Sequence, residues 1–338
     1  MTIRIVPDTE VIKIRAKPLT IDELIGRYAV SNQADGKSPK TIGWYGDILT
    51  QFLRYLKANG YQGILSTFNM DIIRGYILFL QRRPKFQGHP FISQKGDLLS
   101  PKTVQCHVRV LKAFSTWLYE EEYTTISRLK NLKLPKAAIR IMEPLSREEI
   151  KNVVSSINRR SYSGERNHAV LVTLLDTGLR SSEVTGITLS NLNLKDGYIR
   201  ITGKGDKERI VPIGKFVRME LMHYIEQVRP QVYGGDNNKL FLSQDGRPMT
   251  TNAVKMVFSK LGRSSRVHRL HAHLCRHTFA VNYLLNGGDI FSLREILGHT
   301  TLEMVNHYLH FTSSQITAQH HKYSPMDRIQ EKDWQGRD

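Results

Sequence analysis

Cysteine is almost missing from this chain: two in 338 residues, Cys106 and Cys275, far apart. That scarcity argues against a small fold stapled by disulfides, and a reducing compartment is the simpler expectation. Long apolar runs are missing too. The longest, such as Ile77–Leu80 and Ala169–Leu175, fall far short of the ~18–20 residues that cross a bilayer and suit buried elements instead. The opening Met-Thr-Ile-Arg-Ile-Val-Pro-Asp has no apolar core of secretory-signal length. The expectation is therefore a cytoplasmic protein with no membrane span. Acidic residues are few against basic ones, 31 Asp and Glu to 49 Lys and Arg, which leaves a net charge of +18. Such an imbalance disfavours an ordinary small-metabolite enzyme and favours a polyanionic partner, nucleic acid or an acidic membrane surface.

What is present suggests two domains, at roughly 100–200 residues each. Residues 1–18 alternate weakly (Ile3, Ile5; Val11, Ile12, Ile14) and read as an N-terminal arm. From Thr20 the pattern is helical. Ser38-Pro39-Lys40-Thr41 reads as an N-cap followed by proline at the first helical position. Behind it Ile42, Tyr45, Ile48, Leu49, Phe52, Leu53 and Leu56 recur at spacings of three and four, up to Gly60. A helix follows at 70–80, then a loop rich in Pro and Gly at 84–99. Ser100-Pro101-Lys102-Thr103 opens another helix, with Val104, Val108, Leu111, Phe114 and Leu118 on one face. The expected division is an arm at 1–18, a helical domain at 19–134 and a linker at 135–145. A second domain at 146–325 and a tail at 326–338 complete it.

The second domain opens with Ser146-x-x-Glu149, a capping box. Helices are predicted at 146–158, 165–177, 181–187, 215–229, 250–262, 272–286, 289–297 and 301–309. Between the third and fourth, Tyr198-Ile-Arg-Ile-Thr and Arg209-Ile-Val-Pro-Ile flank a Gly/Asp/Lys turn and predict a hairpin. The fold class is mainly α with a small β-sheet or hairpin.

Four groups of residues could carry chemistry, and each has an ordinary explanation when taken alone. Arg180 stands at a helix junction after Gly178, with Glu183 one turn on. It could grip phosphate oxygens through its planar fork, or be half of a surface ion pair. Lys204 sits on the hairpin turn, where it could reach DNA and donate a proton, or serve solubility; Lys207 is its rival. His271, His273, Cys275 and His277 invite a metal, but the Glu of His-Glu-x-x-His and a second Cys are both missing. His273 and Arg276, at i and i+3, share a helix face instead, which leaves His277 as a packed histidine. Leu297-Gly298-His299 precedes Tyr308, a residue that on an apolar face is usually core. Together the groups form an ordered set, Arg…Lys…His-x-x-Arg…His…Tyr. The set has no carboxylate pair for a metal and no Walker-type glycine loop. It can bind a phosphodiester and attack it with a phenol oxygen.

Thr-Gly-Leu-Arg180-x-x-Glu183, Gly-Lys204-Gly with Lys-Glu-Arg behind it, His273-x-x-Arg276-His277, Leu-Gly-His299 and Tyr308 resemble the tyrosine recombinase, or phage integrase, family across the whole C-terminal half. The N-terminal half resembles the family's helical, SAM-like core-binding domain more loosely. Cys275 stands where a Leu is usual before the Arg, a packing variation. Type IB topoisomerases share similar chemistry, but the Leu-Gly-His…Tyr spacing looks like that of recombinases. The resemblance implies two domains clamping double-stranded DNA at specific recombination sites, and strand exchange through a 3′-phosphotyrosyl bond. Tyr308 would be the nucleophile, Arg180, Arg276, His273 and His299 would hold the phosphate, Lys204 would be the acid, and Glu183 would orient its neighbours. It also implies a tetramer on DNA, possible accessory DNA-bending or directionality proteins, no metal and no cofactor.

Candidate groove contacts are Lys40, Thr41, Lys102, Gln105 and Arg109 on the two Ser-Pro-Lys-Thr helices, with Lys255 and Arg263 in the second domain. The expected setting is a transposon, integrative element or phage. The alternatives are a Xer-like enzyme that resolves chromosome dimers, or a DNA-binding regulator that does not cut.

Overall fold

A computed structural model describes residues 18–87, 93–94, 96–138, 142–203, 208–232, 238–298, 320 and 324. The expected arm (all but residue 18), the helix predicted at 301–309 and the tail at 326–338 lie outside the described residues. The chain separates into two compact units, Met1–Arg140 and Ile141–Asp338.

In the first unit every long helix starts on a side-chain cap. Thr20 opens α1 (Ile21–Ala34) in a reciprocal capping box with Glu23, and Asn69 caps α3 (Met70–Arg82). Ser38 opens α2 (Pro39–Ala58) and Ser100 opens α4 (Pro101–Glu120), each with proline at the first turn. In both, the Ser Oγ also lies 2.8 Å from the Thr hydroxyl three residues on. The apolar faces meet in one aromatic core. Phe52, Phe68 and Phe114 are fully buried, and Phe68 meets each of the other two edge to face. His107 lies within this core, 3.1 Å from the Tyr76 hydroxyl. Burial, then the charge of Arg83, lowers its pKa to about 4, so the core holds a neutral imidazole.

The second unit is built around α6 (Tyr162–Thr177), whose stretch Ala169–Leu174 is buried on all sides, as a central helix must be. Around it lie α5 (Arg147–Ser155), α7 (Ser181–Gly186), α8 (Lys215–His223), α9 (Thr251–Ser264), α10 (Ala272–Leu285) and α11 (Ile290–Leu297). The predicted hairpin is the antiparallel pair β2 (Tyr198–Thr202) and β3 (Glu208–Pro212), with Thr202 opposite Glu208. Ile199, Ile201 and Val211 face inward while Arg200, Thr202 and Ile210 face solvent, the alternation expected of a half-buried sheet. A third strand, β1 (Leu192–Asn193), pairs with β2. Two residues are too few to show a period of two in sequence.

The helix predicted over 215–229 is shorter than its pattern. It stops at His223, widens into a π-turn at Tyr224–Val228 and tightens into a 3₁₀ turn at Arg229–Gln231. Tyr224 decides this, because its buried hydroxyl accepts the Leu242 N–H at 3.3 Å and lies 3.3 Å from the Tyr162 hydroxyl. Pro230 then removes an N–H. Among the described residues no helix is long and apolar enough to cross a membrane.

The first unit's stability should rest on its ring cluster. Phe52→Ala is expected to cost about 3–5 kcal/mol, and Ser38→Ala about 1 kcal/mol through the lost cap. Urea denaturation of the two variants measures both.

Candidate active site

Three helix ends converge in the second unit, and three arginines hold them around one carboxylate. α6 ends at Gly178, which takes the left-handed conformation at φ 61°. A Cβ there would lie 2.5 Å from Phe279 Cδ1 and 2.8 Å from Leu297 Cδ2, so glycine lets α10 and α11 close on this turn. Two residues on, α7 starts at Arg180. The Arg180 backbone N–H donates to Glu183 Oε2 at 2.8 Å and its guanidinium donates to Oε1 at 2.8 Å. This is not the solvated surface pair that spacing alone allows. The Glu183 side chain is only 8% exposed, while that of Arg180 remains 43% exposed.

Arg276 on α10 is buried, at 2% exposure. It donates to the Gly178 carbonyl at 2.8 Å and to the Leu297 carbonyl at 2.9 Å, and lies 4.0 Å from Glu183 Oε2. Both carbonyls belong to helix C-termini, where acceptors lack intrahelical partners and the dipole is negative. Those contacts repay part of the cost of burying a guanidinium.

Arg209 on β3 completes the group. Its two terminal nitrogens donate to Glu183 Oε1 and Oε2, both at 3.0 Å, and its Nε donates to the Ile296 carbonyl at 2.8 Å. In the sequence Arg209 stands within Lys-Glu-Arg, with nothing in those neighbours to give it a role. One signal was available: Arg209 stands two positions before the buried Val211, hence on the inward face of β3. An arginine on an inward strand face needs a buried partner.

Burial acts first on Glu183 and would raise its pKa. Its hydrogen bonds to Arg209 and to the Arg180 N–H, with the charges of both arginines, outweigh that and leave it lowered. The carboxylate is thus ionised at neutral pH, with three guanidiniums gathered around it.

The segment from His271 to His277 divides its work. His271 caps α10, its Nδ1 accepting the Leu274 N–H at 2.8 Å. His273 is exposed one turn before Arg276, on the same face. Partial desolvation, then the positive charges of Arg276, His271 and Arg180, lower its pKa. His277 is buried on the side facing Met142, and neighbouring Thr278 accepts the Leu145 N–H at 2.9 Å. Cys275 is buried, which pushes its thiol pKa up to about 12. Among the described residues no three His, Cys, Asp or Glu side chains are grouped to hold a metal.

Of the sequence-predicted residues, Arg180, Glu183 and Arg276 are thereby brought together, with His273 at their edge. Lys204 falls in the connection between β2 and β3. It lies outside the described residues, as do His299, which follows the α11 end at Gly298, and Tyr308. Among the groove candidates, Lys40 on α2, Lys102 and Arg109 on α4, and Lys255 and Arg263 on α9 are exposed. The Thr41 hydroxyl lies beside that of Ser38, and the Gln105 amide donates to the Pro135 carbonyl at 2.7 Å. Each of those two thus has a partner in its own chain.

Because Glu183 compensates buried guanidiniums, Glu183→Ala is expected to destabilise the protein by about 3–5 kcal/mol, read from chemical denaturation. In an NMR titration, His273 should protonate below the usual ~6.5 of a free histidine. With its folded pKa lowered, its contribution to stability is present above that usual value. The contribution is lost as pH falls through the folded pKa.

Residues 143–315 match the family model described as the phage integrase family. The chain is 29% identical over 308 residues to the tyrosine recombinase XerD of Staphylococcus saprophyticus, covering 90% of this chain and 99% of that one. It is 31% identical to the XerD of Staphylococcus aureus strain Mu50 over 67% of this chain and 77% of the relative. Its fold is similar to that of a Tn1549 transposon integrase in complex with circular intermediate DNA (TM-score 0.68, 20% identity, 90% of this chain and 99% of that one). It is also similar to the XerH site-specific recombinase bound to palindromic difH substrate (TM-score 0.67, 20% identity, 89% and 84%). With a family model matched over half its length and a recombinase relative above 30% identity, the chain belongs to the phage integrase family.

Proposed function

We propose that this protein is a site-specific DNA recombinase that cuts and rejoins strands through a 3′-phosphotyrosyl intermediate, with residues 146–325 as catalytic domain and 19–134 as core-binding domain. The observation that carries this reading is the meeting of Arg180 and Arg276 at the ionised Glu183, with His273 one helical turn before Arg276. Guanidiniums held beside a neutral imidazole suit a phosphodiester. Arg180 and Arg276 stabilise the charge that grows on its non-bridging oxygens as the phosphorus becomes five-coordinate. Partial burial of the site strengthens that interaction relative to water.

In this mechanism the Tyr308 oxygen bonds to phosphorus as the bond from phosphorus to the 5′-oxygen breaks. Lys204 protonates the departing oxygen, and His273, neutral at physiological pH, assists in taking the phenol proton. His299 adds a hydrogen bond to the phosphate. The ester is conserved in the phosphotyrosine, so a partner strand's 5′-hydroxyl reverses the step and joins new ends. The net charge of +18 suits binding to duplex DNA whose affinity falls with salt. Lys40, Thr41, Lys102, Gln105, Arg109, Lys255 and Arg263 are the proposed contacts to it. Four protomers on two duplexes would carry out exchange, with accessory DNA-bending or directionality proteins choosing its outcome.

The expected setting is a mobile element such as a transposon, integrative element or phage. A Xer-like role in resolving chromosome dimers is the second reading, favoured by the match to nearly the full length of a XerD.

The test uses nicked duplexes taken from the DNA that flanks this gene. Wild-type protein should form an adduct that survives a denaturing gel, and Tyr308→Phe should bind the same duplex without one. An adduct persisting in Tyr308→Phe overturns the assignment, and binding without an adduct in the wild type marks a non-cleaving regulator. Cleavage at terminal repeats or an attachment site favours the mobile element; cleavage at a chromosomal site favours the Xer-like role.

A further inference from the structure

We infer that Arg209 is a positioning residue of the recombination site: it holds Glu183 so that Arg180 stays free to take the phosphate, and it fastens the end of α11 to the same point. The catalytic part of this inference rests on the proposed function; the positional part does not.

The argument begins with how Glu183 is shared. A carboxylate has two oxygens and roughly four acceptor sites. Arg209 meets both oxygens edge-on with a planar fork at 3.0 Å and 3.0 Å, the geometry in which Arg and carboxylate bind most specifically. Arg180 takes one side-chain contact, to Oε1 at 2.8 Å, and its side chain stays 43% exposed. Were Arg209 absent, the buried carboxylate would have Arg180 and Arg276 as its neighbouring cations. Arg180, on the more exposed side, would be drawn into the vacated fork. A guanidinium spent on Glu183 in both directions is a poor phosphate ligand.

The second part concerns α11. Its last two residues give their carbonyls to two different arginines, Ile296 to Arg209 and Leu297 to Arg276. Gly298 follows in the left-handed conformation at φ 63°. A Cβ on Gly298 would lie 3.0–3.1 Å from Nη1, Cζ and Nε of Arg209. The glycine backbone therefore sits close over the guanidinium, and a side chain there would crowd it. Three of the five N–H donors of Arg209 are committed within the protein, and its side chain is 13% exposed. It acts through Glu183 and α11, on groups that touch the substrate.

Arg209 is also what makes a buried Glu183 tenable. Among the described residues, the charged groups facing Glu183 are Arg180 at the start of α7, Arg209 on β3 and Arg276 on α10. Burial alone would raise the carboxylate's pKa, and Arg209 is the foremost cause that lowers it. A lysine at 209 restores a charge but not the fork or the bond to Ile296.

The experiment compares wild type, Arg209→Lys and Arg209→Ala in two arms. The first needs no DNA: carbon-13 NMR follows Glu183 as pH is lowered. In the wild type it should stay ionised below the usual ~4.3 of a free glutamate, and in both variants it should protonate at higher pH. The second arm times adduct formation by DNA-bound protein on nicked duplex. A small displacement of the phosphate ligands should slow that step about 100-fold in Arg209→Ala, with DNA affinity unchanged and the acid limb of the rate profile shifted upward. Should Arg209→Ala fail to fold, as a melting curve would reveal, Arg209→Lys carries both arms. Glu183 titrating in Arg209→Lys as in the wild type overturns the inference. So does a wild-type adduct rate, or a loss confined to DNA affinity. If wild-type protein makes no adduct, the recombinase reading falls, while the Glu183 titration still decides the place of Arg209.

Discussion

The second unit depends on a single buried carboxylate. Glu183 receives a fork from Arg209, a contact and a backbone N–H from Arg180, and the proximity of Arg276. These groups come from β3, from the start of α7 and from α10, elements separated by long stretches of chain. Removing one partner would leave a buried charge uncompensated, at a cost of about 3–5 kcal/mol. The cluster is tenable because every charge has an opposite charge or a helix-end carbonyl against it. That requirement also sets the geometry: the ends of α6 and α11 and the start of α7 have to face one another for their free carbonyls and N–H groups to be used.

The same arrangement explains how a strongly basic protein can present a few cations in register. An exposed lysine or arginine is a mobile point of charge, worth little in any fixed direction. Arg276 is different, because its orientation is set by two carbonyls before any substrate arrives. Preorganised cations of this kind need not reorganise as charge develops on a reacting group, which is where electrostatic catalysis gains most. Arg180, more exposed, is held to Glu183 by one side-chain hydrogen bond and its backbone N–H.

Much of the helical framework could be read from the chain directly. Ser38 and Ser100 with a following proline, and Ser146 with Glu149, place helix starts by local chemistry that the structure reproduces residue for residue. The hairpin was equally legible, because β2 and β3 are long enough to alternate. Harder to read were β1, two residues long, and the turn at Tyr224, where one buried hydroxyl outweighs a regular helical pattern. Among the candidate site residues, Arg180, Glu183, His273 and Arg276 could be named because each sits in a short segment with its own local spacing. Arg209 could not be given a role, because its partners Glu183 and Ile296 are 26 and 87 residues away.

The order of residues alone specifies a basic, mainly helical protein with an ordered set of arginines, histidines, a lysine and a tyrosine. It could do so because capping, periodicity and charge are local properties of neighbouring residues. Long-range packing settles which of those charges pair with one another inside the protein. Arg180 with Glu183 looks the same in sequence whether it is a solvated pair or one edge of a buried cluster. The difference is made by Arg209 and Arg276 arriving from elsewhere, and by the desolvation that their arrival imposes.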